Sequence, residues 1–457
     1  MLHLHYTPTP LELTRLTTAQ VAYALLTIQI DTQLAAPTTA PDACAWVFLV
    51  DASHSMQIPI VTDAVFRELA RSGTVHETLV DGVAVWQFSG AVPEHIRAAS
   101  PTALRYVYDA LHSIVEHLRG QDQFALVACA ERAELLVPLH TGREREQLLA
   151  QLDALNTTEL GDATELAAGL QLALTHLQRV AGPFARRIVL LTDGFTQDAA
   201  ACLALAQRAA QEQVAVSTLG LGGDFQEELL TALADSSGGR ATMVRDAEQI
   251  GAAVAAEFAA ARFALAPTVR LMLHLSQGVQ VRHITRIAPE LTLLTPQHSS
   301  DGRHVVVAAG DVGQDGRLTL LLELLVPPAP RAAPAEQRRV RLAQVRVQGA
   351  GNLAPASADL IASYAAHAAP LVPPVQAAVA QASTARLLQR ALTLARQGKA
   401  GEAGSLLHTA ATRLREQGKH TLADTVQREA ATLLQTGKTT RLGAKELAYA
   451  TRRLGGG

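Results

Sequence analysis

Apolar residues follow two alternating patterns between residues 42 and 262. Short continuous apolar runs, typical of strands buried on both faces, alternate with stretches whose apolar residues recur every three or four positions, as in amphipathic helices. The runs are 45–50, 123–128, 187–192 and 214–221, and the helical stretches are 102–118, 143–155, 165–179, 199–212 and 226–235. This alternation predicts an α/β domain whose sheet is doubly wound and mainly parallel, with helices on both faces.

One long segment interrupts the alternation. Residues 57–100 separate the first buried strand from its helix, where a loop of about two to six residues is normal. Within this insertion, residues 78–88 predict a β-hairpin that turns at Asp81-Gly82. An insertion next to a site can determine specificity, or it can be an excursion without a role, and the sequence leaves both alternatives open.

Two other patterns flank the α/β domain. Residues 265–350 contain short apolar strands separated by turn residues, which predict a β-sandwich. Residues 1–36 are strand-like and lead into a Pro/Thr/Ala-rich linker at 35–41, so we expect them to complete that sandwich. Residues 375–454 have helical periodicity, with Gly398, Gly418 and Gly437 placed to end successive helices, and predict a C-terminal α-helical module.

Composition narrows the functional classes. A chain of 457 residues with 48% hydrophobic and 18% charged residues is typical of a globular multidomain protein, and its net charge of −3 gives no reason to expect nucleic acid binding. The cysteines Cys44, Cys129 and Cys202 are scattered and predict buried free thiols. The sequence has neither a signal-peptide pattern at Met1 nor a long apolar run, so we expect a cytoplasmic protein without a membrane span.

Oxygen-bearing side chains follow two of the buried strands and precede one helix. Asp51, Ser53 and Ser55 alternate in the turn after the first strand, Thr164 precedes a helix, and Asp193 follows a later strand. In open α/β sheets, ligands bind beyond the carboxyl ends of the strands, where these loops can meet. Oxygen is the donor that Mg²⁺ requires, usually with only one or two protein carboxylates. The pattern therefore predicts a site for Mg²⁺, with Mn²⁺ or Ca²⁺ as alternatives.

Each part of this pattern has a simpler explanation when it is taken alone. A turn with alternating Asp and Ser can cap a helix, Thr164 can be an ordinary N-cap, and Asp193-Gly194 can be an ordinary turn. Capping explains the first turn poorly, because the next predicted helix begins only near residue 102. The occurrence of all three in order, on the expected elements, favours a metal site.

These residues resemble the metal-ion-dependent adhesion site of von Willebrand factor A (vWA) domains. The resemblance is carried by the DxSxS triplet, the Thr164-Glu-Leu-Ala-Ala-Gly-Leu stretch and the strand-terminal Thr-Asp193-Gly, and it extends over about residues 42–262. The family implies that Ser53 and Ser55 bind the metal directly and Thr164 in some states. It also implies that Asp51 and Asp193 act directly or through water.

The sequence departs from the family at His54, which stands where glycine is common. It lies between ligands rather than being one, so we expect metal binding to survive. A histidine there can make metal affinity pH-sensitive or can be an exposed bystander.

The resemblance implies a metal-dependent protein-binding or scaffold module that grips an acidic residue of a protein partner. The layout is also similar to bacterial cytosolic vWA proteins, some of which are linked to Ser/Thr kinase and phosphatase signalling. An alternative is therefore an accessory factor of such a system, with a structural metal and binding through the insertion and C-terminal helices. An enzyme is a third alternative, because Mg²⁺ can assist phosphate-ester hydrolysis. The sequence offers no base or nucleophile candidate beyond the ligands, so we expect no enzymatic activity.

Overall fold

The computed structural model describes residues 2–454 except 10, 15, 31–42, 61–62, 81–82, 89–93, 95, 97–99, 162, 224, 329–338, 350–352, 366, 368 and 453. The predicted linker at 35–41 and the predicted turn at 81–82 lie outside the described residues. The strands in chain order are β1 (Leu2–Thr7), β2 (Leu11–Thr14), β3 (Gln20–Ile30), β4 (Cys44–Asp51), β5 (Val75–Val80), β6 (Val83–Phe88), β7 (Gln123–Cys129), β8 (Ala133–Thr141), β9 (Ala185–Thr192), β10 (Val214–Leu221), β11 (Ala241–Val244), β12 (Ala266–Leu275), β13 (Gln280–Ala288), β14 (Thr292–Leu294), β15 (Gln297–His298), β16 (His304–Val312), β17 (Arg317–Val326), β18 (Arg339–Gln348) and β19 (Ala356–Ala365). The α-helices are α1 (Asp63–Arg71), α2 (Ala103–His117), α3 (Arg145–Leu152), α4 (Ala154–Thr157), α5 (Leu166–Gln178), α6 (Ala199–Gln211), α7 (Glu227–Ser237), α8 (Ile250–Arg262), α9 (Pro373–Arg396), α10 (Ala400–Glu416), α11 (His420–Thr436) and α12 (Arg441–Arg452).

The α/β domain is built on one sheet with the strand order β11-β10-β9-β4-β7-β8. Its strands are parallel except β8, which runs antiparallel to β7 at the edge. Every residue of the central strand β4 is buried, and alternate side chains enter two separate cores. Trp46, Phe48 and Val50 pack under α2 and α8, whereas Val47 and Leu49 pack under α5, α6 and α7. The predicted doubly wound sheet is thereby confirmed, and its continuous apolar runs are explained by burial on both faces.

A two-layer β-sandwich follows the α/β domain. One sheet has the order β1-β3-β17-β13-β14, the other has the order β15-β16-β12-β18-β19-β2, and side chains from both form a single core. Strands from the N-terminus of the chain lie in both layers: β3 pairs along its length with β17, and β2 pairs with β19. Strands β8 and β19 were not predicted from the sequence.

The C-terminal helices form a module that packs against both the α/β domain and the β-sandwich. Helices α9 and α10 end before Gly398 and Gly418, and α11 ends at Gly437. Each of these glycines has a positive φ, so the predicted helix ends are confirmed. Ala378 and Ala382 of α9 pack on the outer face of the first sandwich sheet. Among the described residues, no helix is both long enough and apolar enough to cross a bilayer.

The tail of the chain differs from its sequence-based description. The scattered basic residues of 444–454 predict a solvated helix end, but Lys445 and Arg452 of α12 are 6% and 8% exposed. Arg452 pairs through both terminal nitrogens with Asp235 of α7, at 3.0 and 2.6 Å. Solvation was the wrong expectation, because the partners of these cations lie on distant parts of the chain.

The insertion contains helix α1 and the antiparallel pair β5–β6. The predicted hairpin is present, its first strand begins three residues earlier than expected, and α1 was not predicted. All three buried cysteines are free thiols, as the sequence predicts. Burial raises the pKa of Cys44 to about 11, so this thiol stays protonated at neutral pH.

Gly239, just before β11, provides a test of the packing. A Cβ at this position would lie 2.1 Å from the main-chain oxygen of Val216, so the backbone must shift to accept it. We expect Gly239→Ala to lower the free energy of unfolding by about 1–3 kcal/mol, measured by thermal unfolding. Gly401→Ala is the matched control, since that exposed helical position has open space around it. Equal melting temperatures for the two variants would contradict the described packing.

Candidate functional site

The candidate site lies at the carboxyl end of the central strand. Chain order places β7 on one side of β4 and β9 on the other, so the direction of strand addition reverses at β4. Such a reversal opens a crevice beyond the carboxyl ends of the two neighbouring strands. Asp51 is the last residue of β4 and Thr192 is the last residue of β9. The topology therefore brings their following loops together.

Asp51 is the buried centre of the site. Its side chain is fully buried, and its Oδ2 accepts a hydrogen bond of 2.6 Å from the Thr192 hydroxyl. Its Oδ1 accepts a 3.0 Å hydrogen bond from the main-chain N–H of Ser53. A buried carboxylate is costly unless donors compensate its lost hydration. These two donors hold the Asp51 carboxylate in one orientation in the folded protein.

The two serines and Asp193 continue from this centre to the surface. Ser53 Oγ and Ser55 Oγ lie 3.1 Å apart, and Ser55 donates a 2.6 Å hydrogen bond to Asp193 Oδ1. Ser53 is buried, whereas Ser55 and His54 are exposed. Among the described residues, Ser53 precedes a 3-10 turn without capping it through its side chain. A capping role therefore does not explain this hydroxyl.

Thr164 approaches from the opposite loop. Its hydroxyl lies 3.5 Å from Asp51 Oδ2, and its side chain is buried. Helix α5 begins at Leu166 with Glu165 at the N-cap position, so Thr164 is not the helix cap that its sequence position also allowed. Its carbonyl accepts a 2.7 Å hydrogen bond from the Thr196 hydroxyl. Hydrogen-bond contacts thus connect all the predicted site residues.

The donor set fits a hard divalent cation. Three hydroxyls and two carboxylates converge at this site. It contains no His or Cys ligand, and among the described residues no group of three or more His, Cys, Asp or Glu side chains could hold a metal. This chemistry suits Mg²⁺, Mn²⁺ or Ca²⁺ better than a softer metal. Adjacent ligands of an octahedral Mg²⁺ are about 3.0 Å apart, close to the 3.1 Å between Ser53 Oγ and Ser55 Oγ. Two carboxylates balance the charge of such an ion.

The structure adds supporting residues that the sequence analysis did not assign. Thr192 orients Asp51, and it was visible in the motif as the residue before Asp193. Thr196 and Asp198 hold the loop before α5: the Thr196 hydroxyl lies between the Thr164 carbonyl and Asp198, which share its one proton, and Asp198 accepts a hydrogen bond from the main-chain N–H of Ala167. The side chain of Gln226 bonds to the backbone of Thr196. Only the fold shows that these groups are neighbours.

Comparison with known families agrees with the fold of the α/β domain. The family model for the von Willebrand factor type A domain matches residues 97–256. The chain contains a vWA domain. The matched residues include Thr164 and Asp193, whereas β4 and the Asp51 turn precede them. A second family model, the Sll0103-like C-terminal alpha-helical domain, matches residues 373–457.

Two relatives are similar to about half of this chain. The chain is 25% identical over 232 residues to the uncharacterized protein YfbK of Escherichia coli, covering 49% of this chain and 39% of the relative. It is 24% identical over 238 residues to the uncharacterized protein sll0103 of Synechocystis, covering 51% and 56%. The chain therefore spans about half the length of these relatives or less.

The fold is similar to two solved structures over almost the whole chain. A von Willebrand factor type A protein from Catenulispora acidiphila aligns with a TM-score of 0.73 at 16% identity, covering 99% of this chain and 96% of that one. The ArnB paralog VWA2 from Sulfolobus acidocaldarius aligns with a TM-score of 0.53 at 14% identity, covering 100% and 98%. At these identities the likeness shows a shared fold.

The Asp51–Thr192 hydrogen bond can be tested by removing one hydroxyl. Thr192→Val keeps the side-chain shape but takes a donor from a buried carboxylate, so we expect a loss of about 1–3 kcal/mol in the free energy of unfolding, measured by urea denaturation. Thr175→Val is the control, because the Thr175 hydroxyl bonds to Gln171 of its own helix, donating to the carbonyl at 2.8 Å and accepting from the side-chain amide at 3.1 Å. A Thr192 variant as stable as the control would argue against the described role.

Proposed function

We propose that the vWA domain is a metal-dependent protein-binding module. In this proposal Asp51, Ser53, Ser55, Thr164 and Asp193 hold Mg²⁺, or Mn²⁺ or Ca²⁺ in its place, and the partner contributes an Asp or Glu carboxylate. The observation that carries the proposal is the convergence of hydroxyl and carboxylate oxygens from three loops. Ser55 contacts Ser53 at 3.1 Å and Asp193 at 2.6 Å, and the Thr164 hydroxyl lies 3.5 Å from Asp51.

The arrangement suits the capture of an acid from outside. When bound, a divalent cation supplies an electrophilic position that accepts a carboxylate oxygen. Hydroxyl donors carry no charge, so they leave more of the cation's charge available than a set of carboxylates would. Ser55 and His54 are exposed, so the site opens to solvent where a partner can reach it. Ser53 and Asp51, which are buried, keep the inner side of the site rigid.

A binding role without catalysis is part of the proposal. The matching family model is that of the vWA domain, which is typically an interaction module. The relatives YfbK and sll0103 are named as uncharacterized proteins, and neither name is that of an enzyme. The hydroxyls and carboxylates of the site are all assigned either to holding a cation or to holding one another. The identity of the partner, including any kinase or phosphatase, is a question for capture experiments.

Metal binding is the first expected outcome. We expect the full chain to bind Mg²⁺ at one site by isothermal titration calorimetry, and its melting temperature to rise with metal concentration because the cation binds the folded state. Ser55→Ala and Asp193→Asn should each weaken the affinity by about tenfold or more. Ser405→Ala, on the exposed face of α10, is the matched control and should bind like the unaltered chain. Failure of the unaltered chain to bind any of the three cations would end the proposal.

Partner capture is the second expected outcome. The immobilised chain should retain its partner in Mg²⁺, release it in EDTA and retain it again when excess Mg²⁺ is restored. A Ser53→Ala/Ser55→Ala bait should capture less at equal loading, because its site lacks two of the proposed ligands. Substitution of the partner's acidic contact residue by its amide should give the same loss. Retention in EDTA by both baits would instead place the binding surface elsewhere, such as on the insertion.

A further inference from the structure

The last helix of the chain is fixed to the loop that follows β10. Lys445 of α12 is 6% exposed, and its Nζ donates hydrogen bonds to the main-chain oxygens of Gly223 and Phe225, at 2.6 and 2.7 Å. The same ammonium group lies 4.2 Å from the centre of the Phe225 ring. A buried ammonium that bonds two carbonyls of one turn fixes the direction in which that turn leaves the strand.

Phe225 has little freedom within this arrangement. Its side chain is 1% exposed and packs against Gly220 of β10, where an added Cβ would lie 2.4 Å from the ring. The ring of Tyr449, one turn after Lys445 on α12, meets it edge-on at 6.3 Å between centroids. Strand, loop and C-terminal helix are therefore locked together around this one ring.

The residue after Phe225 leads directly towards the metal site. Gln226 accepts a 3.2 Å hydrogen bond from the main-chain N–H of Thr196 and donates a 3.1 Å hydrogen bond to the Thr196 carbonyl. Thr196 is 4% exposed, and its hydroxyl donates to the Thr164 carbonyl at 2.7 Å. Hydrogen bonds linked through the Phe225–Gln226 peptide bond and through Thr196 thus connect the C-terminal helix to the loop that carries a proposed metal ligand.

We infer that Lys445 and Gln226 are positioning residues for the metal site, which set its affinity by fixing Thr164 through Thr196. The inference rests on the proposed function, since it concerns the same cation. Groups that orient metal ligands commonly change metal affinity by about 10–100-fold when they are removed. Lys445, the orienting group farthest from the metal site, belongs to the C-terminal helical module. Docking of α12 therefore changes the metal affinity of the vWA site.

Other contacts of the same helix provide an internal comparison. Arg245, the residue after β11, pairs with Glu446, next to Lys445, at a half-exposed position. This pair holds α12 to the end of the edge strand, and among the described residues no hydrogen bond links it to Thr196. Loss of the Glu446 charge should therefore leave metal affinity unchanged, whereas loss of the neighbouring Lys445 should not.

The test is a Mg²⁺ titration of the full chain by calorimetry. Gln226→Ala and Lys445→Met should each lower the affinity by about tenfold, and Glu446→Gln should not change it. The sign of the change in Mg²⁺ affinity is informative for Lys445, because removing a positive charge would by itself strengthen cation binding. Melting temperatures in EDTA show whether each variant is folded, and Lys445→Arg, which keeps a charged donor, should recover part of the loss.

A double-mutant cycle separates positioning from a general structural effect. If Gln226 acts through Thr164, then Gln226→Ala should cause little further loss in a Thr164→Val background. Additive losses, or unchanged affinity in both Gln226→Ala and Lys445→Met, would overturn the inference while the metal site stands. Absence of Mg²⁺ binding by the unaltered chain would instead overturn the proposed function, and the inference with it.

Discussion

The candidate site depends on keeping one carboxylate buried at the end of the central strand. Asp51 is fully buried, and β4 holds it there because both faces of that strand lie within hydrophobic cores. The folded state must then supply donors for the carboxylate, and it does so from β9 through Thr192 and from the following turn through the N–H of Ser53. The same donors that make burial tolerable also bring the loops of the site together.

Buried ion pairs join the three parts of the molecule. Arg187 of β9 is 2% exposed and pairs with Asp311 of β16 at 2.8 Å, which ties the vWA sheet to the sandwich. Arg452 and Asp235 tie the helical module to α7 in the same way. Such pairs contribute geometric specificity more than net stability, because desolvation offsets much of their attraction. Their geometry favours one arrangement of the modules, and the hydrogen bonds of Lys445 to Gly223 and Phe225 require that arrangement.

Local patterns were enough to predict the doubly wound sheet and the helix ends. Continuous apolar runs indicate strands buried on both faces, and a glycine with positive φ ends a helix for reasons that lie within a few residues. Strands β8 and β19 were missed because neither is a continuous buried run: β8 has one fully buried residue, and the first half of β19 has none. Helix α1 was missed because its nine residues are fewer than the roughly 11–18 over which helical periodicity can be recognised.

The sequence by itself determined which oxygen-bearing residues follow which strands, since strand ends and motif spacing are local properties. Only the tertiary structure decided their support. Thr196, Gln226 and Lys445 are far apart in the chain, and tertiary packing brings them together: Gln226 bonds to the Thr196 backbone, and α12 docks on the loop after β10. Whether a lysine near the end of a chain is solvated or buried depends on acceptors more than two hundred residues away, and local sequence carries no record of such distant partners.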